Sequence, residues 1–208
     1  HVDAVQALAK IPTEKYLTER VDFATFSSHK FHGVRGVGFI YIKSGKKITP
    51  LLTGGGQERD YRSTTENVAG IAATAKALRL SMEKLDFFTS KTGQMKAVIC
   101  QALLDYPDIF VFSDEEDFAP HILTFGIKGV RGEVIVHAFE GYDIFISTTS
   151  ACSSKAGKPA GTLIAMGVDK DKAQSAVRLS LDLENDMSQV EQFLTKLKLI
   201  YNQTKKVR

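Results

Sequence analysis

Cysteine is scarce. The 208 residues contain two, Cys100 and Cys152, too few for a disulfide framework and in keeping with a reducing compartment. No run of about eighteen apolar residues occurs, as a membrane-crossing helix requires, and no charged start followed by an apolar stretch marks a secretory leader. The expectation is a cytoplasmic chain with no membrane partner. Strong charge is missing too. The formal net charge is +3, and apart from Lys205, Lys206 and Arg208 at the C-terminus there is no basic stripe or aromatic–basic interleaving, so no direct nucleic-acid partner is indicated. Internal repeats and low-complexity segments are absent as well. With no initiator methionine, the chain opens on His1-Val2-Asp3-Ala4 as though a strand were already under way, so it is expected to be the C-terminal part of a longer polypeptide. What is present, 43% hydrophobic and 25% charged residues, is ordinary globular composition with material for one large or two small domains.

Apolar and β-branched runs bounded by turn residues predict strands over 21–26 and 36–42, with Lys30 in the connection between them. Gly54-Gly55-Gly56 permits backbone torsions that other residues avoid, which serves either close approach to a ligand or chain, or a flexible loop. Ser63-Thr64-Thr65-Glu66 has capping-box spacing, and Val68, Ile71, Ala75, Leu78 and Met82 then recur at helical intervals, predicting a long helix from near Thr65. A second amphipathic stretch through Met95, Ile99 and Leu103 stops near Pro107, with Cys100 read as a small apolar packing residue. Strands are expected at 109–112, 122–127 and 143–146, and a helix at 132–139. The small polar stretch 148–159, which carries Cys152, reads as a mobile loop. A strand over 175–181 carries Arg178, and a cap at Asn185 or Asp186 starts a final helix.

The run Phe26-Ser27-Ser28-His29-Lys30-Phe31-His32-Gly33 is the most informative. A lysine that forms a Schiff base must lose its proton, and a serine and a histidine just before it supply donors for the phosphate of an aldehyde cofactor. Read alone, Asp3 is a cap or turn former, Gln6 and Arg178 are surface residues, Thr65 is a helix cap and Cys152 is a loop thiol.

Together with His1-Val2-Asp3-Ala4-Val5-Gln6, Gly54-Gly55-Gly56-Gln57-Glu58-Arg59, Arg62-Ser63-Thr64-Thr65, Ser150-Ala151-Cys152 and Arg178-Leu179-Ser180, that run resembles the cysteine desulfurases of the NifS/IscS type. These belong to the class-V, fold-type I enzymes of pyridoxal 5'-phosphate. The resemblance implies an α/β fold. Residues 1–65 would end the large domain, a mixed sheet with helices, and residues 66–208 would form a linking long helix and a small α+β C-terminal domain with the cysteine loop. It implies Lys30 as the Schiff-base lysine, Asp3 as the partner of the pyridinium nitrogen, and Gln6 as donor to the phenolic oxygen. Ser27 and His29 become phosphate anchors, and Thr65 reaches the phosphate of the other subunit in a homodimer. Arg178 would grip the carboxylate of L-cysteine, where a planar fork orients as lysine cannot. Cys152 would take the substrate sulfur as a persulfide, leaving L-alanine, and would share nascent iron–sulfur clusters transiently; no resident metal is implied. Sulfur acceptors in the family include iron–sulfur scaffold proteins and thiolation enzymes for tRNA and thiamine.

Three positions depart from the family: Val34 replaces a proline, and Thr64 and Thr149 replace glycines. The ring-stacking histidine, the own-subunit phosphate loop and an asparagine near the phenolic oxygen have no counterpart among these residues, so the 208 residues alone are expected to be inactive. The competing readings are a selenocysteine lyase or another class-V enzyme, and a cofactor-free sulfur-carrier or docking module.

Overall fold

A computed structural model describes residues 1–113, 118–148 and 161–205, which fall into two compact units, His1–Phe87 and Phe88–Arg208. In the first, β1 (Val2–Asp3), β2 (Phe23–Ser27) and β3 (Gly38–Ile42) form a sheet in the order β1-β2-β3. β1 runs parallel to β2, while β2 and β3 make an antiparallel hairpin in the register Phe23↔Ile42 to Ser27↔Gly38. Successive side chains of a strand point to opposite faces. On β2, Ala24 and Phe26 are therefore buried with Ala4, Leu8, Tyr16, Val21 and Phe31, while Phe23, Thr25 and Ser27 line the other face half-exposed. Each fully buried large side chain contributes about 1.5–3 kcal/mol.

A 3-10 turn, Ser28–Phe31, follows β2 directly. Helix α1 (Val68–Met82) packs Ala77 and Leu78 on this same core, within the compact unit that runs through Phe87. The helix starts later than the capping-box spacing predicts. Asn67 is its cap, accepting from the Gly70 N–H at 3.0 Å, because the Ser63 N–H is committed to the Leu52 carbonyl and holds that stretch in a loop.

In the second unit, β4 (Ile109–Val111), β5 (Ile122–Ile127), β6 (Ser147–Thr148) and β7 (Ala176–Ser180) form an antiparallel sheet in the order β4-β5-β7-β6. Leu123, Phe125, Ile127, Val177 and Leu179 project from one face. They meet Met95, Ile99 and Leu103 of α2 (Leu85–Leu103), Ile135 and Phe139 of α3 (Gly132–Glu140), and Phe193, Leu197 and Ile200 of α6 (Met187–Lys205) in one core. The Phe139 and Phe193 rings stack with centroids 5.0 Å apart.

α6 opens as the sequence predicts. The Asp186 carboxylate accepts from the Gln189 N–H at 3.0 Å, and the Gln189 side chain accepts from the Asp186 N–H at 3.2 Å, a reciprocal cap. The strand expected over 143–146 is displaced to β6. Asp143 has φ 58°, outside the extended region, and the Ile144 N–H still bonds the Phe139 carbonyl at the end of α3. Two five-residue helices, α4 (Gly161–Ala165) and α5 (Lys170–Gln174), are too short to leave a periodic signal.

Candidate active site

Two groups of candidate residues take shape, one in each unit. In the first, Asp3 of β1 is the register partner of Thr25 of β2, and Ser27 lies two residues further along the same face. Asp3 also closes a turn, its Oδ1 accepting from the Val5 N–H at 3.1 Å, and Gln6 is exposed within that turn.

Lys30 sits near the end of the 3-10 turn, half-buried. Among the described residues its amine makes no hydrogen bond or ion pair, and the same holds for the side chains of Ser27 and His29. A hydroxyl, an imidazole and an amine are thus uncommitted within four consecutive residues, with a carboxylate on the neighbouring strand. That donor set fits an anionic aldehyde such as pyridoxal phosphate.

The turn itself is held on every side. The Ser28 N–H bonds the Val37 carbonyl and the Ser28 carbonyl accepts from the Gly33 N–H, both at 3.0 Å. Fully buried, the Ser28 hydroxyl is 2.9 Å from Thr74 Oγ1 of α1, which also lies 2.7 Å from the Gly70 carbonyl. At the other end, Ser81 Oγ donates to the Phe31 carbonyl at 3.1 Å. Gly33 has to be glycine, since a Cβ there would sit 2.0 Å from Ser28 Oγ. Motif reading passed over Thr25, Thr74 and Ser81. The available signal was the stripe of small residues Gly70, Thr74, Ala77 and Ser81 on one face of α1.

Thr65 lies exposed in the stretch before α1, and no hydrogen bond joins it to the Lys30 turn among the described residues. Thr64 keeps a negative φ, so its replacement of a glycine brings no left-handed strain. Left-handed backbone falls instead on Glu58 (φ 52°), Arg59 (φ 55°) and Asp60 (φ 67°), just after Gly56, at about 1–2 kcal/mol per residue.

In the second unit, Arg178 of β7 stands in register between Thr124 of β5 and Ser147 of β6. These three share the face opposite the core. The Arg178 Nε atom is buried and has no hydrogen-bond partner among the described residues. An unpaired buried N–H costs about 1–3 kcal/mol, so the guanidinium is poised for an acceptor that the described chain does not supply. Cys152 and Thr149 lie outside the described residues. The chain that carries them departs from β6, whose Ser147 is the lateral neighbour of Arg178.

The aminotransferase class-V family model matches residues 1–193. The chain belongs to the class-V aminotransferase family. Among curated class-V relatives, a NifS/IcsS protein homolog of Lactobacillus delbrueckii subsp. bulgaricus is 47% identical over all of this chain and 54% of its own length. The cysteine desulfurase IscS of Clostridium botulinum (strain Hall) is 32% identical, again over all of this chain and 53% of its own length. A solved structure described as a NifS-like protein superposes with TM-score 0.83 at 37% identity, covering 97% of this chain and 52% of that one. A NifS-like protein from Rickettsia africae gives TM-score 0.82 at 29% identity, covering 96% and 52%. The chain therefore spans about half the length of these relatives.

Proposed function

We propose that the polypeptide carrying this chain is a pyridoxal-phosphate-dependent cysteine desulfurase, converting L-cysteine to L-alanine with a persulfide on Cys152. The observation that carries this reading is the turn after β2, where Ser27, His29 and Lys30 offer three uncommitted polar groups beside Asp3. The Ser27 hydroxyl and the His29 imidazole would donate to the cofactor phosphate, Asp3 would keep the pyridinium nitrogen protonated, Gln6 would donate to the phenolic oxygen, and Lys30 would hold the aldehyde carbon. When bound, the cofactor draws electrons from the Cα of the amino acid and so makes its side-chain bonds labile.

The rest falls to the residues of the chain. Arg178 forks onto the substrate carboxylate with two parallel N–H donations and fixes its orientation. Lys30 would move the proton at Cα. The Cys152 thiolate attacks the sulfur of the bound cysteine. The substrate C–S bond breaks with its electron pair left on carbon, which takes up a proton to give alanine, and the sulfur stays on Cys152 as S–SH. A free thiol with pKa about 8.5 is only a few per cent thiolate at neutral pH, so the substrate complex or neighbouring donors would have to help it deprotonate.

The partners proposed are a second copy of the chain, with Thr65 serving the phosphate of the neighbouring subunit, and a sulfur acceptor that is an iron–sulfur scaffold or a tRNA or thiamine thiolation protein. The proposed compartment is the cytoplasm, where reducing conditions preserve the two thiols. Among the described residues no helix is long and apolar enough to cross a membrane.

Borohydride reduction of the full-length polypeptide with its cofactor, followed by peptide mass analysis, is expected to place a pyridoxyl group on Lys30, and Cys152→Ser is expected to abolish sulfide release from cysteine. An unmodified Lys30 overturns the reading in favour of a sulfur-carrier module. Undiminished sulfide release by the serine variant overturns it in favour of another class-V lyase.

A further inference from the structure

We propose that Thr74 is a positioning residue for Lys30: acting through the buried hydroxyl of Ser28, it fixes the turn from which the lysine amine reaches. The proposal rests on the reading of Lys30 as the cofactor lysine. Ser28 and Thr74 are 0% and 6% exposed, and their hydroxyls meet at 2.9 Å across 46 residues of sequence. Thr74 Oγ1 is in turn held by the Gly70 carbonyl of the preceding turn at 2.7 Å, an ordinary back-bond for threonine in a helix. A threonine serving the helix alone needs no second partner. This one is aimed at the first residue of the lysine turn, while Ser81, two helical turns along the same face, holds the carbonyl of its last residue, Phe31. Lys30 is therefore suspended between two points tied to α1.

The space around Ser28 is tight and fully buried. Gly33 approaches so closely that even a methyl group there would overlap Ser28 Oγ, and Gly70 brings α1 near enough that a Cβ at that position would lie 2.8 Å from Val37 Cγ2. Among the described residues, Thr74 is the side chain that bonds the Ser28 hydroxyl. Backbone bonds to Val37 and Gly33 hold Ser28 locally, and the directional bond to Thr74 adds the tie from the turn to α1. Misplacement of a reacting group by about 1 Å can cost on the order of 100-fold in rate. Ser28 and Thr74 thus contribute to the approach of the Lys30 amine without touching any reacting atom.

The test uses the full-length apo polypeptide, to which pyridoxal phosphate is added while covalent attachment to Lys30 is followed by absorbance and confirmed by borohydride trapping. Thr74→Val keeps the shape and removes the hydroxyl; it is expected to slow attachment on the order of 10-fold and to lower kcat for cysteine with KM little changed. Thr74→Ser restores both. Ser28→Ala matches Thr74→Val, and the double variant is no slower than either single, because the two act as one unit. Ser28→Ala removes the same bond from its other side, so the claim stays testable with a Thr74→Val protein that does not fold, and Ser81→Ala, which leaves the buried pair intact, reports on the other end of the turn. Attachment at the wild-type rate in Thr74→Val, whatever its melting temperature, overturns the proposal, as do multiplicative effects in the double variant. A wild-type protein in which Lys30 never reacts overturns the desulfurase reading itself, a different result.

Discussion

At the scale of single residues, the two groups of the candidate site differ in how their partners are arranged. Arg178 holds a buried Nε with no acceptor among the described residues, so a ligand carboxylate would satisfy an N–H that otherwise carries a desolvation cost. Arg178→Lys keeps the charge and loses the fork. It is expected to raise KM for cysteine on the order of 10- to 100-fold with a smaller effect on kcat, as steady-state kinetics of the full-length enzyme will show. Gly33 acts by absence of a side chain. Gly33→Ala is expected to destabilise the fold by about 1–3 kcal/mol in denaturant titrations, and by less in a Ser28→Gly background, where the 2.0 Å overlap with Ser28 Oγ is gone but the 3.0 Å approach to its carbonyl remains. The sequence singles out Lys30 and Arg178 as candidates because their neighbours form motifs. It does not single out Thr25, since only strand register places it beside Asp3, or Thr74, since its partner is 46 residues away.

Elements were legible in proportion to their length and to the strength of their caps. β2, β5 and β7 alternate or run apolar as buried strands do, and α6 carries a full reciprocal cap. α4 and α5 hold five residues each, which is little more than one turn. The start of α1 was misread because two cap-like signals lie within five residues, and the backbone uses the later one. Asn67→Ala is accordingly expected to lower stability by about 1 kcal/mol, while Ser63→Ala leaves the unfolding midpoint nearly unchanged. The cap of α6 carries a pH dependence of defined sign. The Ser188 hydroxyl and then the Gln189 N–H, both donating to its carboxylate, hold Asp186 below the ordinary aspartate value of 3.8. A depressed folded pKa stabilises above the unfolded value and loses that contribution as pH falls through the folded one. Thermal melts of the wild type should therefore lose α6 stability in the range below 3.8, and Asp186→Asn should remove that component of the acid slope. An unchanged slope in the asparagine variant would contradict the assignment.

At the scale of the whole molecule, the first unit exposes apolar side chains that an ordinary surface hides. Leu51 is 95% and Val68 71% exposed, and Phe39, Ile40 and Tyr41 of β3 are each about two-fifths exposed. Large apolar side chains exposed to this degree are expected to be covered in the longer polypeptide, since the chain spans about half the length of its relatives. The 208-residue polypeptide by itself is expected to brighten a hydrophobic fluorescent dye and to bind pyridoxal phosphate weakly, with no turnover of cysteine; the full-length polypeptide should leave the dye dim, bind pyridoxal phosphate tightly and turn over cysteine. Sulfide release by the shorter polypeptide at the full-length rate would refute this. The pairing of Thr148 with Val177 closes a segment of chain that passes through α4 and α5. The entropy of closing such a segment grows only with the logarithm of its length, so doubling it costs roughly 0.6 kcal/mol. Insertions between β6 and β7 are therefore expected to be nearly neutral for the stability of the second unit, and its core leaves that length free to drift.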